Sequence, residues 1–281
     1  RVDPRAFENY AIQWASQKGH TDVVKLLLAD SRVDPGVGDN SAIRSASYWG
    51  HTEIVKLLLA DSRVDPSAND NDAIQYACQC VHTEIVKILL ADSRVDPSAR
   101  ANYPIRLACE KGHAEIVRLL LADSRVDPGV SFNSAIRLAS YDGQADPRVD
   151  PSALNNAAIR VASENGHVEV VEILLADARV DPSAYDNYAI QRACENGDVD
   201  VVRALLADSR VDPSVRRNYA IRRASKNGHA DIVKILLSDS RVDPSVKRNY
   251  AIRRAFKEGH LEIANILIKD RRVIPNALNY P

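Results

Sequence analysis

The chain has 281 residues with 37 basic and 38 acidic side chains, a formal charge of −1. That balance excludes global steering toward nucleic acid or a membrane surface, while local asymmetry stays open. No apolar run reaches membrane-spanning length and no signal-peptide pattern opens the chain. Four irregularly spaced cysteines (Cys78, Cys80, Cys109, Cys194) make no disulfide framework, which favours a reducing setting, intracellular and cytoplasmic. The absence of any Met suggests an excised or processed segment.

From Arg1 onward the tetrapeptide RVDP returns at Arg32, Arg63, Arg94, Arg125, Arg148, Arg179, Arg210 and Arg241, and as RVIP at Arg272. The starts lie 31 residues apart from Arg1 to Arg125 and again from Arg148 to Arg272, with one interval of 23 between them. A fixed period in this range is the signature of a solenoid. A unit this short cannot bury enough surface to fold alone, so it must stack on its neighbours.

Residues 32–62 show the unit. Ala42, Ile43 and Ala46 give a first helix one apolar face, and Ile54, Val55, Leu58 and Leu59 give a bulkier face to a second. Gly50 lies between them, where a helix ends with positive φ. Asn9, Asn40, Asn71, Asn102, Asn133, Asn156, Asn187, Asn218 and Asn249 share the register just before the first helix, which reads as a row of N-caps. RVDP reads as a connector: its Pro fixes φ and extends the preceding Asp, and its Arg and Asp are expected to pair between successive units. The alternative, a recognition tag displayed in many copies, needs each copy to be accessible and has no evident reason for repetition.

With these elements placed, the pattern YAIRxASxxGHTEIVKLLL resembles the TPLHxAAxxGHxEVVKLLL of ankyrin repeats, over essentially the whole chain. Pro104 in NYPIRLACEKGH falls at the family's Thr-Pro proline, a helix-start position where a missing N–H costs little. The resemblance implies an all-α helix-loop-helix solenoid with short hairpin-like connectors. Nine repeats are expected, the fifth lacking its second helix. The unit is two residues shorter than the family's usual 33, and Tyr/Ser-Ala and Arg/Gln stand where the family has Thr-Pro and His. Its usual ties between repeats must therefore be made differently. Shortened forms of this kind resemble ankyrin proteins of large DNA viruses and microbial eukaryotes.

The 23-residue interval keeps its connector and first helix, then runs from Gly143 through Gln144, Ala145, Asp146 and Pro147 into Arg148 without a second helix. One solenoid over 1–281 is thus expected to divide into a block 1–147, four full repeats plus a truncated one at 125–147, and a block 148–281. The second block holds four full repeats and a partial C-terminal connector. A kink is expected near 140–150, with either closure or a groove where the helix is missing. Val81 replaces the turn Gly, so that turn should adopt another geometry or carry strain. The first repeat has no polar cap, and the last is degenerate at Phe256, Ala264, Asn265, Lys269 and Arg271. The chain reads as the C-terminal part of a longer array, or as one that associates end to end through its first repeat.

The seven histidines form a row of one per repeat, which offers no convergent metal site, and small-residue packing explains Cys78, Cys109 and Cys194. No phosphate loop, zinc-protease helix or nucleophile elbow occurs, so neither enzyme activity, metal nor cofactor is expected. Function is expected where units differ. The resemblance implies that partners bind at connector tips and on the concave face of the first helices. There the first three repeats collect Phe7, Trp14, Tyr48, Trp49 and Tyr76, aromatics of the kind that anchor protein interfaces; Trp14 and Tyr76 have the alternative of packing on the next unit. The last two repeats place Arg216, Arg217, Arg222, Arg223 and Lys226, then Lys247, Arg248, Arg253, Arg254 and Lys257, at the same positions, and Arg192 extends the set backward. A protein partner on the concave face is expected first. An acidic partner or nucleic acid on the basic set is the alternative.

Overall fold

The computed structural model describes residues 6–128 and 156–273. Every regular element among the described residues is an α-helix, and the helices come in pairs joined at a Gly-His turn, which becomes Val81-His82 in the third pair and Gly197-Asp198 between α11 and α12. Contacts divide the chain into two units, Arg1–Pro128 and Gly129–Pro281. The first unit holds α1 (Ala6–Lys18), α2 (Thr21–Leu28), α3 (Val37–Trp49), α4 (Thr52–Leu59), α5 (Ala68–Gln79), α6 (Thr83–Ala91), α7 (Ala99–Lys111) and α8 (Ala114–Ala122). The second holds α9 (Ala157–Glu164), α10 (Val168–Leu175), α11 (Ala184–Asn196), α12 (Val199–Ala207), α13 (Val215–Asn227), α14 (Ala230–Ser238), α15 (Val246–Lys257) and α16 (Leu261–Ile268). The expected boundary at 147/148, the truncated repeat and the kink near 140–150 lie outside the described residues.

Within each unit, first helices pack on first helices, second on second, and each first helix on its own partner. The result is a two-layer stack in each unit. Its core is most of the set read from the sequence: Ala42, Ile43, Ala46, Ile54, Val55 and Leu58 are fully buried, as are their counterparts from α5 to α8 and α9 to α16. Leu59 is half-buried, and the first repeat leaves Ala11 and Val23 exposed. The connectors contain no strand among the described residues, so they are not hairpins. They also join the core, because the Val of RVDP is buried at Val33, Val64, Val95, Val126, Val180, Val211 and Val242. Each buried Val contributes about 1.5–3 kcal/mol relative to exposure.

Between successive units the Arg and Asp of RVDP attract at longer range: beside the hydrogen bonds of Asp61 and Asp92, the Asp34 and Asp65 carboxylates raise the pKa of Arg63 and Arg94. The close contacts of the Arg lie elsewhere. Arg94 forks onto Asp92, two residues upstream, with Nε at 3.0 Å from Oδ1 and Nη2 at 2.6 Å from Oδ2. The rest of the guanidinium crosses the repeat boundary, donating through Nη1 to the Val64 carbonyl and through Nη2 to the Leu59 carbonyl, both at 2.9 Å. Arg63, Arg125, Arg210 and Arg272 repeat all of these contacts. Leu59 ends α4, so each Arg satisfies a carbonyl that the preceding second helix leaves over. The Asp of RVDP is occupied locally instead: Asp65 Oδ1 accepts from the Ser67 backbone N–H and hydroxyl. The forked Asp carboxyls, Asp61 and Asp92 among them, are held below the usual carboxylate range by the Arg hydrogen bond.

The Asn row is not a row of side-chain N-caps. Asn40, Asn71, Asn102, Asn156, Asn187 and Asn218 sit in the left-handed region with φ between 57° and 65°. Their amide oxygens accept from the backbone N–H of the next connector's Asp, as in Asn40 to Asp65 at 2.8 Å and Asn187 to Asp212 at 2.7 Å. Left-handed backbone explains the residue choice, since Asn tolerates it better than other non-glycine residues. The two residues before the Asn are left-handed as well: Gly38 and Asp39, Asn69 and Asp70, Arg100 and Ala101, Tyr185 and Asp186, Arg216 and Arg217, Lys247 and Arg248. The first helices α3, α5, α7, α11, α13 and α15 are therefore entered through a three-residue left-handed turn, whose variable residues form the tip.

Histidine supplies a third tie. The ring Nε2 of His51, His82, His229 and His260 lies 3.0 Å from the carbonyl of Gln17, Tyr48, Glu195 and Lys226 in the preceding repeat. Each of these rings also covers the preceding turn Gly so closely that a Cβ on Gly19 or Gly50 would meet it at 2.6 Å. The turn therefore needs Gly for positive φ and for clearance. Val81 breaks this rule yet keeps the turn, at φ 63°. Of the two expectations for this turn the geometry is retained, and the strain is that of a β-branched residue held left-handed.

Two stability measurements follow. Arg94→Ala removes the fork and both carbonyl contacts and is expected to lower stability by about 2–3 kcal/mol, with Arg94→Lys recovering less than half. Hydrogen exchange should localise that loss to the end of α4 and to α6, and a uniform loss would contradict a local tie. Val81→Gly relieves the left-handed penalty of about 1–2 kcal/mol against a smaller entropy cost, so its thermal midpoint should rise.

Candidate functional site

In the first unit, α3 and α5 place the aromatic cluster. Tyr48 and Trp49 end α3 just before its turn, and Tyr76 stands two residues after Ile74 in α5, at positions where the repeats differ. Tyr48 meets Trp49 edge-on at 5.2 Å and Tyr76 edge-on across the repeat boundary at 5.6 Å. Trp49 remains 53% exposed and Tyr48 40%, whereas Tyr76 is half-buried against Tyr48. The three rings, with Ser41, Arg44 and Ser45, line an open hollow of about 300 Å³. Trp14 stands apart from that hollow, 42% exposed, tilted against His20 at 5.6 Å and beneath the Lys18 ammonium at 5.9 Å. Phe7 belongs to α1, and its side chain lies outside the described residues.

Arg44 escaped the sequence reading because it shares a register with residues that repeat. Its Nη1 is 3.0 Å from the buried carboxylate of Asp72, which Asn69 also contacts, and its Nη2 donates to the Gly38 carbonyl at 3.2 Å. The same register explains how the family's His is replaced. Gln75 donates to the Asp70 carbonyl at 2.6 Å, Gln191 donates to that of Asp186, and Arg253 donates to that of Lys247 at 3.3 Å. In each case a side chain one helical turn into the first helix ties down the left-handed turn that precedes it.

In the second unit that register separates the predicted basic residues by environment. Arg222 is 9% exposed; it donates to the carbonyls of Arg217 and Arg216 at 3.0 and 3.1 Å. Its guanidinium lies 5.6 and 5.3 Å from the ring centres of Tyr219 and Tyr250, and burial lowers its pKa. Arg222 and Arg253 are thus ties within the fold. Arg192 bonds Glu164 and Glu195 at 2.8 and 2.9 Å, and Arg216 bonds Asp186 at 3.0 Å. Arg223 donates to the Tyr219 hydroxyl at 2.7 Å, with Glu195 at 3.7 Å; Arg254 donates to the Tyr250 hydroxyl at 3.1 Å, with Glu258 at 3.5 Å. Arg217, Lys226, Lys247, Arg248 and Lys257 have no carboxylate partner among the described residues, and all but half-buried Lys226 are exposed.

Burial disfavours the thiolate form of the cysteines. It pushes Cys78 up to about 12 and raises Cys109 and Cys194 further, and it raises half-buried Cys80 as well. Among the described residues no three His, Cys, Asp or Glu side chains converge as metal ligands, and no helix is long and apolar enough to cross a membrane.

The division of the arginines is measurable. Arg222→Gln keeps a donor that Gln75 and Gln191 use in the same register, so stability should stay within about 1 kcal/mol of the parent. Arg222→Leu removes the donor and should cost about 1–3 kcal/mol by urea unfolding. Equal losses for the two variants would contradict the tie.

The family model for ankyrin repeats (3 copies) matches residues 1–70, 62–134, 130–217 and 190–278. A comparison with the curated proteins finds no match. The matched segments run nearly end to end, and with the stacked helix pairs they establish that this chain belongs to the ankyrin-repeat family.

Proposed function

We propose that the chain is a non-catalytic scaffold that binds a protein partner, anchored on Tyr48, Trp49 and Tyr76. Ankyrin repeats generally mediate protein–protein interaction, which gives the reading its class. The observation that carries the location is Trp49, 53% exposed beside a hollow of about 300 Å³ that two further aromatic rings line. Exposed Trp and Tyr beside an indentation are the residue types and shape that concentrate binding energy in protein interfaces. The fold does not require an aromatic ring at Trp49: the counterpart positions hold Lys18, Cys80 and Lys111, and all four repeats keep the same helix pair. Trp14 is a secondary contact on the same reading.

The test is affinity capture with the intact chain, the captured proteins being identified by mass with and without added nuclease. Trp49→Ala should weaken capture of a direct partner at least tenfold, since truncating an interface anchor costs about 2 kcal/mol or more. Its thermal midpoint should stay unchanged. Capture that survives Trp49→Ala and Tyr48→Ala together would remove the anchor from this hollow.

A further inference from the structure

The second unit carries a charge imbalance that its own packing does not use. The helices α13 and α15 pack side by side and contain ten cationic side chains and no acidic one. Nearby carboxylates are already engaged, Asp186 by Arg216, Glu195 by Arg192, and Glu258 by Arg254. What remains is a pair of left-handed tips bearing Arg217 and, one repeat later, Lys247 and Arg248, with Lys226 and Lys257 at the far ends of the same helices. Like charges in adjacent repeats repel, so this arrangement does not stabilise the array.

Two features decide which anion fits. The rings that interleave these cations are covered: the Arg223 guanidinium lies 4.9 Å from the Tyr219 ring centre, that of Arg222 5.3 Å from Tyr250, and that of Arg254 5.2 Å from Tyr250. Unstacked bases need open aromatic faces, and Tyr219 and Tyr250 do not offer them. The second feature is spacing. Packed helices are about 8–10 Å apart, so tips of successive repeats present cations at about that interval. An extended polypeptide rises about 3.3 Å per residue, which brings every third side chain into step with one repeat.

We infer that Arg217, Lys247 and Arg248 form a docking surface for an extended acidic polypeptide segment with carboxylates about three residues apart. The inference refines the scaffold reading by adding a second contact, chemically unlike the aromatic hollow and independent of it.

The probe is a fluorescein-labelled peptide of about twelve residues with Glu at every third position, titrated with the intact chain and read by anisotropy at low salt. A peptide of the same composition with its Glu residues in one block and an oligo-dT of matched charge serve as comparators. Arg217→Asn with Arg248→Asn removes two charges while giving the left-handed tips the residue they favour, so the melt should hold or rise. Exposed charge pairs are worth about two- to fivefold each, and the double variant should weaken the spaced peptide about tenfold. Arg222→Gln removes a buried charge from the same helix and should change binding less than twofold. The proposal is overturned if the blocked peptide binds as well as the spaced one, if Arg222→Gln matches the tip variant, or if oligo-dT binds more tightly and is the ligand displaced by the tip changes. Trp49→Ala should leave this titration unchanged, so failure of the aromatic anchor and failure of the acidic site give different results.

Discussion

The connector guanidinium holds two repeats at once at Arg63, Arg94, Arg125, Arg210, Arg241 and Arg272, and the rest of the array follows from it. Arg94 is locked to Asp92 within its own repeat and donates to Val64 and Leu59 carbonyls of the previous one. A helix of about nine residues leaves roughly half of its backbone polar groups without internal partners, so a stack of such helices needs outside donors at every end. Here a side chain provides them, without strands in the connector. The short connector is therefore compatible with a satisfied backbone, and each repeat depends on the next in sequence to finish its second helix.

The left-handed turn is the second half of the same arrangement. Three consecutive left-handed residues are unfavourable for L-amino acids by about 1–2 kcal/mol each unless they are Gly or Asn. The Asn oxygen spends its hydrogen bond on the next connector, while Arg or Gln from the helix behind binds the turn's carbonyls. With the backbone fixed by residues outside the tip, the two tip positions accept Gly-Asp, Asn-Asp, Arg-Ala, Tyr-Asp, Arg-Arg or Lys-Arg in the same geometry. Structure is held by invariant residues and chemistry is left to variable ones.

This separation also sets what was legible in the sequence. Period, helix pairs, core and the His row could be read, because apolar spacing and register depend only on residues within one repeat. The ties could not, because they span 25 to 35 residues of a sequence that repeats every 31. In such a sequence a partner in the same unit and one in the next have the same identity, so Asn40 reads equally as a cap for its own helix and as an acceptor for Asp65. Arg222 and Arg217 were inseparable for a related reason: composition records a cation, whereas only the direction of the side chain decides between a carbonyl ligand and a solvent-facing charge. Val81 shows the converse, since the stack imposes a turn on a residue that disfavours it.

The proposed binding positions follow from the same separation. A position that serves the fold is constrained to what its neighbours can accept, which is why the buried register holds Ser16, Ser47, Cys78, Cys109, Ser163, Cys194 and Ser225. Trp49 and Arg217 are under no such constraint. Trp49 leaves half of a large apolar ring in water, and Arg217 adds an unpaired charge beside others of its sign. Both raise the free energy of the isolated chain relative to small polar residues at those positions, because exposed aromatic surface is poorly solvated and like charges repel. A partner that covers the ring and carboxylates that neutralise the tips reverse both terms. On the proposed reading, residues unfavourable to the free array become favourable in a complex, and in this fold Trp49 and Arg217 stand at the two kinds of position that the ties leave open.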